Sequence, residues 1–431
     1  MSTPPSSPTQ SVGPAPLPSS ETSQGPRMTP TASTDSQQGL LDRYTHSLIT
    51  VFGTPQLVLD RGDGAWVWDT DGKRYLDLVG GVAVNALGHN HPALVAAVSK
   101  QVSEMAHISN FYTSRAQIEL AERILKIADA PTGSGVFFGN SGAEAIEAAI
   151  KLSRRTGRTG IIAAEGAFHG RTTGALALTH KAAYREPFAP LIPDVSHVPY
   201  NDVEALRAAV TEATAAVVLE PVQGEAGAIV ADPAYLRAAR EITTAAGALL
   251  VIDEVQTGIG RTGDWFGYQE SGIVPDAVTL AKGLGGGLPI GALVTFGPEV
   301  SGLLTAGQHG STFGGNPLVA AAGLSVLDTI AGHGLLAHVT EVGDHLARAV
   351  TALDHPEVEG VRGRGLLRAI VLRSDLSPAI ATGAREAGFL VNPVASNAIR
   401  LIPPLTITRD ELDLFVAALP SLIASAKEST P

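Results

Sequence analysis

The sequence predicts an α/β protein: a mostly parallel sheet flanked by helices, with a smaller α+β unit built from both chain ends. Three observations carry this. After Pro131, short apolar runs alternate with helix-length amphipathic segments. The runs GVFF, GIIAAE, AAVVLEPV, ALLVIDEV, DAVTLA and IGALVTF lack the in–out alternation of a half-exposed strand, which points to burial on both faces. On either side of this region the pattern changes, to closely spaced strands broken by turn signals and to long helices.

The elements follow in order. Residues 1–40 are expected to be a disordered tail, because 23 of the first 38 residues are Pro, Ser or Thr and such a segment buries too little apolar surface to offset its ordering entropy. Residues 41–98 are expected to form the N-terminal part of the smaller unit. There LVLD, AWVWD and RYLDL read as strands separated by RGDG and TDGK, and Pro92 to Met105 as a helix. Residues 99–325 are expected to form the large unit. It opens with a helix capped by Ser114, continues through SGAEAIEAAIKLSRR and VEALRAAVT, and includes DPAYLRAAREITTAAG, with Asp232 as cap and Pro233 in the first turn. Long helices run from Asn316 to about Leu353. Residues 326–431 complete the smaller unit with the strands LLRAIVL, FLVN and AIRLI and a final helix.

Composition removes several functions. The chain of 431 residues carries 42 acidic against 30 basic side chains, a net −12, with no dense Lys/Arg run. That balance argues against binding nucleic acid or an anionic membrane. The absence of cysteine excludes disulfides, thiolate catalysis and Cys-ligated metals. No apolar run reaches the length of a membrane span. A soluble, cytoplasmic protein is expected. No metal site is expected either: His89 and His91 in GHNHP lie in a turn beside Pro92 and suit packing.

The chemistry gathers in three places. In VTLAKGLGGGLPIGALV, Lys282 is the one ionisable residue between Ala277 and Pro298. Stripping water from an unpaired ammonium is costly, so a solitary lysine here asks for a reason. In ALLVIDEVQTG, Asp253 ends an apolar strand, at the sheet edge where ligands of parallel sheets bind; an ordinary turn cap fits the same letters. In FFGNSGAEAIEAAIK, Ser141 and Glu144 form a capping-box pattern, and Gly142 and Ala143 leave N–H groups accessible to a phosphate; a box with no ligand also fits. Gly258, Gly260 and Gly263 spell a dinucleotide fingerprint, but Asp253 and Glu254 just upstream would repel a pyrophosphate. A phosphorylated, cationic heterocycle that condenses with an amine uses all three places, and pyridoxal 5′-phosphate is such a molecule. Desolvation lowers the lysine pKa and supplies a neutral amine, and Asp253 would keep the ring nitrogen protonated.

YLDLVGGVAVNALGHNHP, FFGNSGAEAIEAAIKLSR, AFHGRTTGALALT, LEPVQGEAG, VIDEVQTGIGRTG, TLAKGLGGGLPIGA, HGSTFGGNP and IRLIPPLTIT occur in this order. Over about residues 50–422 the sequence resembles the class III aminotransferases of pyridoxal-phosphate fold type I. The resemblance implies that Lys282 is the covalent anchor and proton carrier and that Asp253 pairs with the ring nitrogen. Gln256 would meet the ring hydroxyl, with Val255 on one ring face and Phe168 on the other. Ser141, Gly142 and Ala143 would hold the phosphate, joined by Thr312 of the partner in a homodimer. Arg171 and Arg400 would bind substrate carboxylates, with Glu225 covering Arg400 when a single carboxylate is present. The reaction implied is transfer of an amino group from N2-acetylornithine to 2-oxoglutarate, a step of arginine biosynthesis. Succinylated donors, ornithine and 4-aminobutyrate are alternatives. Phe52 and Val82, where ornithine-specific relatives carry tyrosines, imply an apolar wall that suits an acetylated donor.

Overall fold

A strand buried on both faces presents mostly apolar side chains without alternation, and the central strands do. The computed structural model describes residues 36–429. Numbered along the chain, the strands of its central sheet are β1 (Gly135–Gly139), β2 (Gly160–Ala164), β3 (Val195–Val198), β4 (Thr214–Leu219), β5 (Leu249–Asp253), β6 (Ala277–Leu280) and β7 (Gly291–Thr295). Their order across the sheet is β1-β7-β6-β5-β4-β2-β3. All run parallel except β7, which is antiparallel to both β1 and β6. Ala216, Val218, Leu249 and Val251 enter one apolar cluster, together with Ile146 and Ile150 of helix Gly142–Arg154. Val217, Leu219, Leu250 and Ile252, one position along, enter the cluster on the other face. This two-sided burial is why the strands read as unbroken apolar runs.

Two further sheets lie outside this layer. Leu59–Asp63, Trp66–Asp69 and Arg74–Asp77 form an antiparallel meander. Phe389–Leu390, more than 300 residues on, joins it in parallel, with Phe389 opposite Leu76. One sheet thus draws on both chain ends. The other, ordered Val358–Arg364, Leu367–Leu372, Ala398–Leu401, Asn392–Ala395, is antiparallel and carries Arg400. The long helical stretch is two helices, Pro317–Gly332 and Leu335–Ala352, separated where Gly334 adopts φ +63°.

The described residues fall into two compact units, one ending at Val58 and one beginning at Leu59. Most of the expected tail lies outside the described residues, but its last part does not. Gln37–Ser47 is a helix, with Ser36 accepting from the Gly39 N–H. The run QQGLLDRY supplies enough helix formers once a Ser cap precedes it. Strand β3 is also absent from the sequence reading. VSHV is short and polar at two of four positions, and it stays only half buried because it pairs with β2 alone at the sheet edge. Among the described residues no single helix is long and apolar enough to cross a membrane.

One glycine ties the sheet to the loop after β1. A Cβ on Gly291, the first residue of β7, would lie 2.1 Å from the Ser141 carbonyl oxygen. Backbone cannot yield there as a flexible side chain would. Gly291→Ala should therefore cost roughly 1–3 kcal/mol of stability, seen as an earlier unfolding transition. A melting curve superimposable on the parent's would show that the loop gives way without cost.

Candidate active site

The parallel strands point their carboxyl ends to one edge of the sheet, so residues far apart in sequence converge there. Ser141 follows β1, Phe168 and His169 follow β2, Glu220 follows β4, Asp253 ends β5 and Lys282 follows β6. All border one cavity of about 420 Å³, together with Gly142, Ala143, Arg171, Glu225, Val255 and Gln256. Of the residues singled out in the sequence, Arg400 stands one hydrogen bond behind this wall. Thr312 is exposed and does not line its own chain's cavity. Val82 is 37% exposed and outside the cavity, whereas Val84, two residues on, forms part of its lining. Within this chain Val82 therefore does not form the expected apolar wall, and the apolar lining comes from residues such as Val84, Leu288 and Ile290. Phe52 belongs to the other compact unit.

Lys282 opens a short 3-10 turn with φ +40°, a left-handed conformation that costs a non-glycine residue about 1–3 kcal/mol. Its Nζ has no hydrogen-bond or ion-pair partner among the described residues. Burial, reinforced by the Arg400 charge, lowers its pKa from 10.5 to about 8, although Glu225, Asp253 and Glu220 pull the other way. Roughly one amine in ten is then neutral at pH 7, against about one in three thousand at the ordinary value.

Asp253 is 4% exposed and heavily used. Its Oδ1 accepts from the Val255 N–H at 3.0 Å and from Thr279 Oγ1 at 3.1 Å, and Oδ2 pairs with His169 Nδ1 at 2.7 Å. A carboxylate has roughly four acceptor positions, so one remains open. His169 is 3% exposed and borders the same cavity. Burial opposes its charge, but the hydrogen bond and charge of Asp253, with Glu220 behind, outweigh this and raise its pKa. Its Nδ1–H therefore donates to Asp253. Glu220 accepts the Phe168 N–H at 3.0 Å. Burial pushes it up to about 7, with Asp253 acting in the same direction and His169, the Phe168 N–H and Lys282 opposing. The rule that exposed Asp253, a carboxylate where a buried parallel strand ends, applies equally to Glu220 in VVLEP. His169 offered no comparable local signal.

The helix start after β1 departs from a full capping box. Ser141 Oγ accepts from the Glu144 N–H at 3.1 Å. The Glu144 carboxylate turns instead to Asn140, accepting from its backbone N–H at 2.8 Å and its side chain at 2.9 Å. The N–H groups of Ser141, Gly142 and Ala143 are left without an acceptor among the described residues, at the positive end of a 13-residue helix. A Cβ on Gly142 would lie 2.8 Å from a Val255 methyl, so glycine is what lets Val255 pack against the cradle.

The two arginines are held differently. Arg400, 2% exposed, donates to Glu225 Oε1 at 2.7 Å and Gln256 Oε1 at 3.2 Å through one nitrogen. Its other nitrogens donate to Asn392 Oδ1 at 3.1 and 2.8 Å. Arg171 is exposed and has no carboxylate partner among the described residues. Its guanidinium carbon sits 3.7 Å from the Tyr184 ring centroid and 5.5 Å from that of Phe168.

These donors fit a phosphorylated pyridine aldehyde. Free helix N–H groups suit the phosphate, the open acceptor on Asp253 suits a ring N–H, and the partly neutral Lys282 suits a carbonyl carbon. The GxGxxG letters around Gly258 form tight buried turns just after the Asp253 and Glu254 carboxylates, with no helix start for a pyrophosphate.

The family model described as Aminotransferase class-III matches residues 51–423. The chain belongs to the class-III aminotransferases. It is 54% identical over 395 residues to the acetylornithine aminotransferase of Streptomyces coelicolor, covering 91% of this chain and 98% of the relative. With that of Mycobacterium tuberculosis it shares 54% over 384 residues, covering 89% and 96%. Among solved structures, ornithine aminotransferase from Toxoplasma gondii superposes with a TM-score of 0.86 at 29% identity, covering 91% of this chain and 96% of that one. N-acetylornithine aminotransferase from Stenotrophomonas maltophilia gives 0.78 at 35% identity, covering 90% and 100%.

The lowered pKa of Lys282 has a measurable sign. The reactive neutral amine exists above the pKa, so labelling of cofactor-free protein at Lys282 by a carbonyl reagent and borohydride should climb through pH 8 and then level off. A profile still rising toward 10.5 would mean the amine is not desolvated.

Proposed function

We propose that this protein is a pyridoxal-phosphate-dependent enzyme that transfers the δ-amino group of N2-acetylornithine to 2-oxoglutarate, giving N-acetylglutamate 5-semialdehyde and glutamate. The observation that carries the chemistry is the unpaired Lys282 amine in the cavity that Asp253 and the open helix start also border. The donor is supported by the acetylornithine aminotransferases to which the chain is 54% identical. Arginine biosynthesis is the pathway this reaction serves, and a cytoplasmic location suits its soluble substrates.

When bound, pyridoxal 5′-phosphate supplies an aldehyde and a ring that draws electrons from the substrate carbon. Lys282 Nζ would be the covalent anchor, and once displaced by the substrate amine it would carry the substrate proton. Asp253 would hold a proton at the ring nitrogen, and the His169 Nδ1–H fixes the orientation of that carboxylate. Ser141, Gly142 and Ala143 would bind phosphate through backbone N–H groups. Val255 and Phe168 would enclose the ring, and Gln256 would meet its hydroxyl.

Arg171 would take the carboxylate that both substrates carry, by a bidentate contact. Arg400 would take the second carboxylate of 2-oxoglutarate after Glu225 lets go of it. With the donor, which carries a single carboxylate, the Glu225–Arg400 pair would stay closed, which avoids a buried unpaired cation. The test is a panel of amines in single half-reactions, followed by loss of the enzyme's visible absorption. N2-acetylornithine should bleach the band fastest, and Lys282→Ala should abolish the reaction. A faster response to free ornithine or 4-aminobutyrate would reassign the donor.

A homodimer with shared sites belongs to the same proposal. Thr312 is exposed away from its own cavity, and Phe313 beside it is 60% exposed, Phe111 92% and Tyr112 75%. Side chains of that size seek a covering surface. If Thr312 completes the partner's site, hybrids of a Lys282→Ala chain and a Thr312→Ala chain contain one intact site per dimer. They should recover about half of the unsubstituted dimer's activity from two poorly active parents. Hybrids no better than the mean of their parents would place Thr312 outside the site.

A further inference from the structure

We propose that Tyr184 is a positioning residue that holds the Arg171 guanidinium edge-on to the cavity, ready for the carboxylate of either substrate. The inference rests on the reading of Arg171 as a carboxylate site. Tyr184 lies on the short helix Ala182–Arg185, half-buried, and is not among the residues that line the cavity. Its ring centroid is 3.7 Å from the guanidinium carbon of Arg171, the shorter of that residue's two aromatic contacts. Lys181 Nζ approaches the same ring at 4.7 Å.

An exposed arginine on a flexible stem loses substantial rotamer freedom when a ligand fixes it. A protein carboxylate could hold it in advance, but it would occupy the N–H edge that must meet the substrate. Arg400 shows that arrangement and its consequence, because Glu225 must leave before Arg400 can bind anything. An aromatic face holds the guanidinium by its π surface and leaves the N–H donors of the edge free. Arg171, needed in both half-reactions, is the one held by rings. The Tyr184 hydroxyl has no protein hydrogen-bond partner among the described residues, so the face and not the oxygen is the active part.

The test uses holoenzyme variants Tyr184→Ala, Tyr184→Phe and Arg171→Ala, with KM and kcat measured for both substrates. Tyr184→Ala should raise both KM values roughly three- to thirtyfold, with kcat within about twofold of the parent, and Tyr184→Phe should restore them. Adding Tyr184→Ala to Arg171→Ala should bring no further loss. If Arg171→Ala raises both KM values and Tyr184→Ala raises neither, the positioning role is wrong while the carboxylate site stands. If Arg171→Ala leaves both KM values unchanged, the carboxylate reading fails, and the positioning role with it. A loss confined to kcat, or equal damage from Tyr184→Phe, would also overturn the proposal by pointing to a structural or hydroxyl-dependent role.

Discussion

A primary amine kept out of water without a counter-ion is the constraint around which this molecule is arranged. Lys282 follows a buried strand, occupies a left-handed backbone position and faces a cavity in which no side chain neutralises it. Burial alone would favour the uncharged amine, and the nearby Arg400 charge adds to that effect. The three carboxylates that oppose it are each diverted. Asp253 serves His169, Thr279 and the Val255 N–H, Glu225 serves Arg400, and Glu220 accepts from Phe168. An ion pair to Lys282 would restore its ordinary pKa and remove the nucleophile.

Three cations at this site are held in three ways. Lys282 gives up part of its charge. Arg400, which cannot, is surrounded by oxygen acceptors from Glu225, Gln256 and Asn392. Arg171 stays exposed, with its guanidinium carbon over the Tyr184 ring and near that of Phe168.

The fold explains why these groups meet but not which amine is processed. Ornithine and N-acetylornithine aminotransferases both superpose on the chain over about nine-tenths of its length. Shared architecture of this kind supports many substrates. Val84 and Arg171 line the cavity, and Arg400 is paired with Glu225 behind its wall. Discrimination by a hydrophobic wall alone is modest, on the order of 1–3 kcal/mol per group. On the proposed reaction, the Glu225–Arg400 pair would add an electrostatic criterion that counts carboxylates.

The parallel core was legible from the sequence because burial on both faces leaves no room for polar residues, so β4, β5, β6 and β7 appear as unbroken apolar runs. Asp253 and Lys282 were legible for the same reason, as charges standing out against that background. The small edge strand β3 and the helix Gln37–Ser47 were not, since little or no core packing marks their letters. Tertiary structure alone decided that His169 orients Asp253, that Glu144 turns away to Asn140 and frees the helix start, and that Tyr184 meets Arg171. The ring and imidazole pairs join residues 13 and 84 positions apart on different elements. Periodicity along the chain records which side chains are buried, whereas the partner each one finds depends on how separate strands end at a common edge.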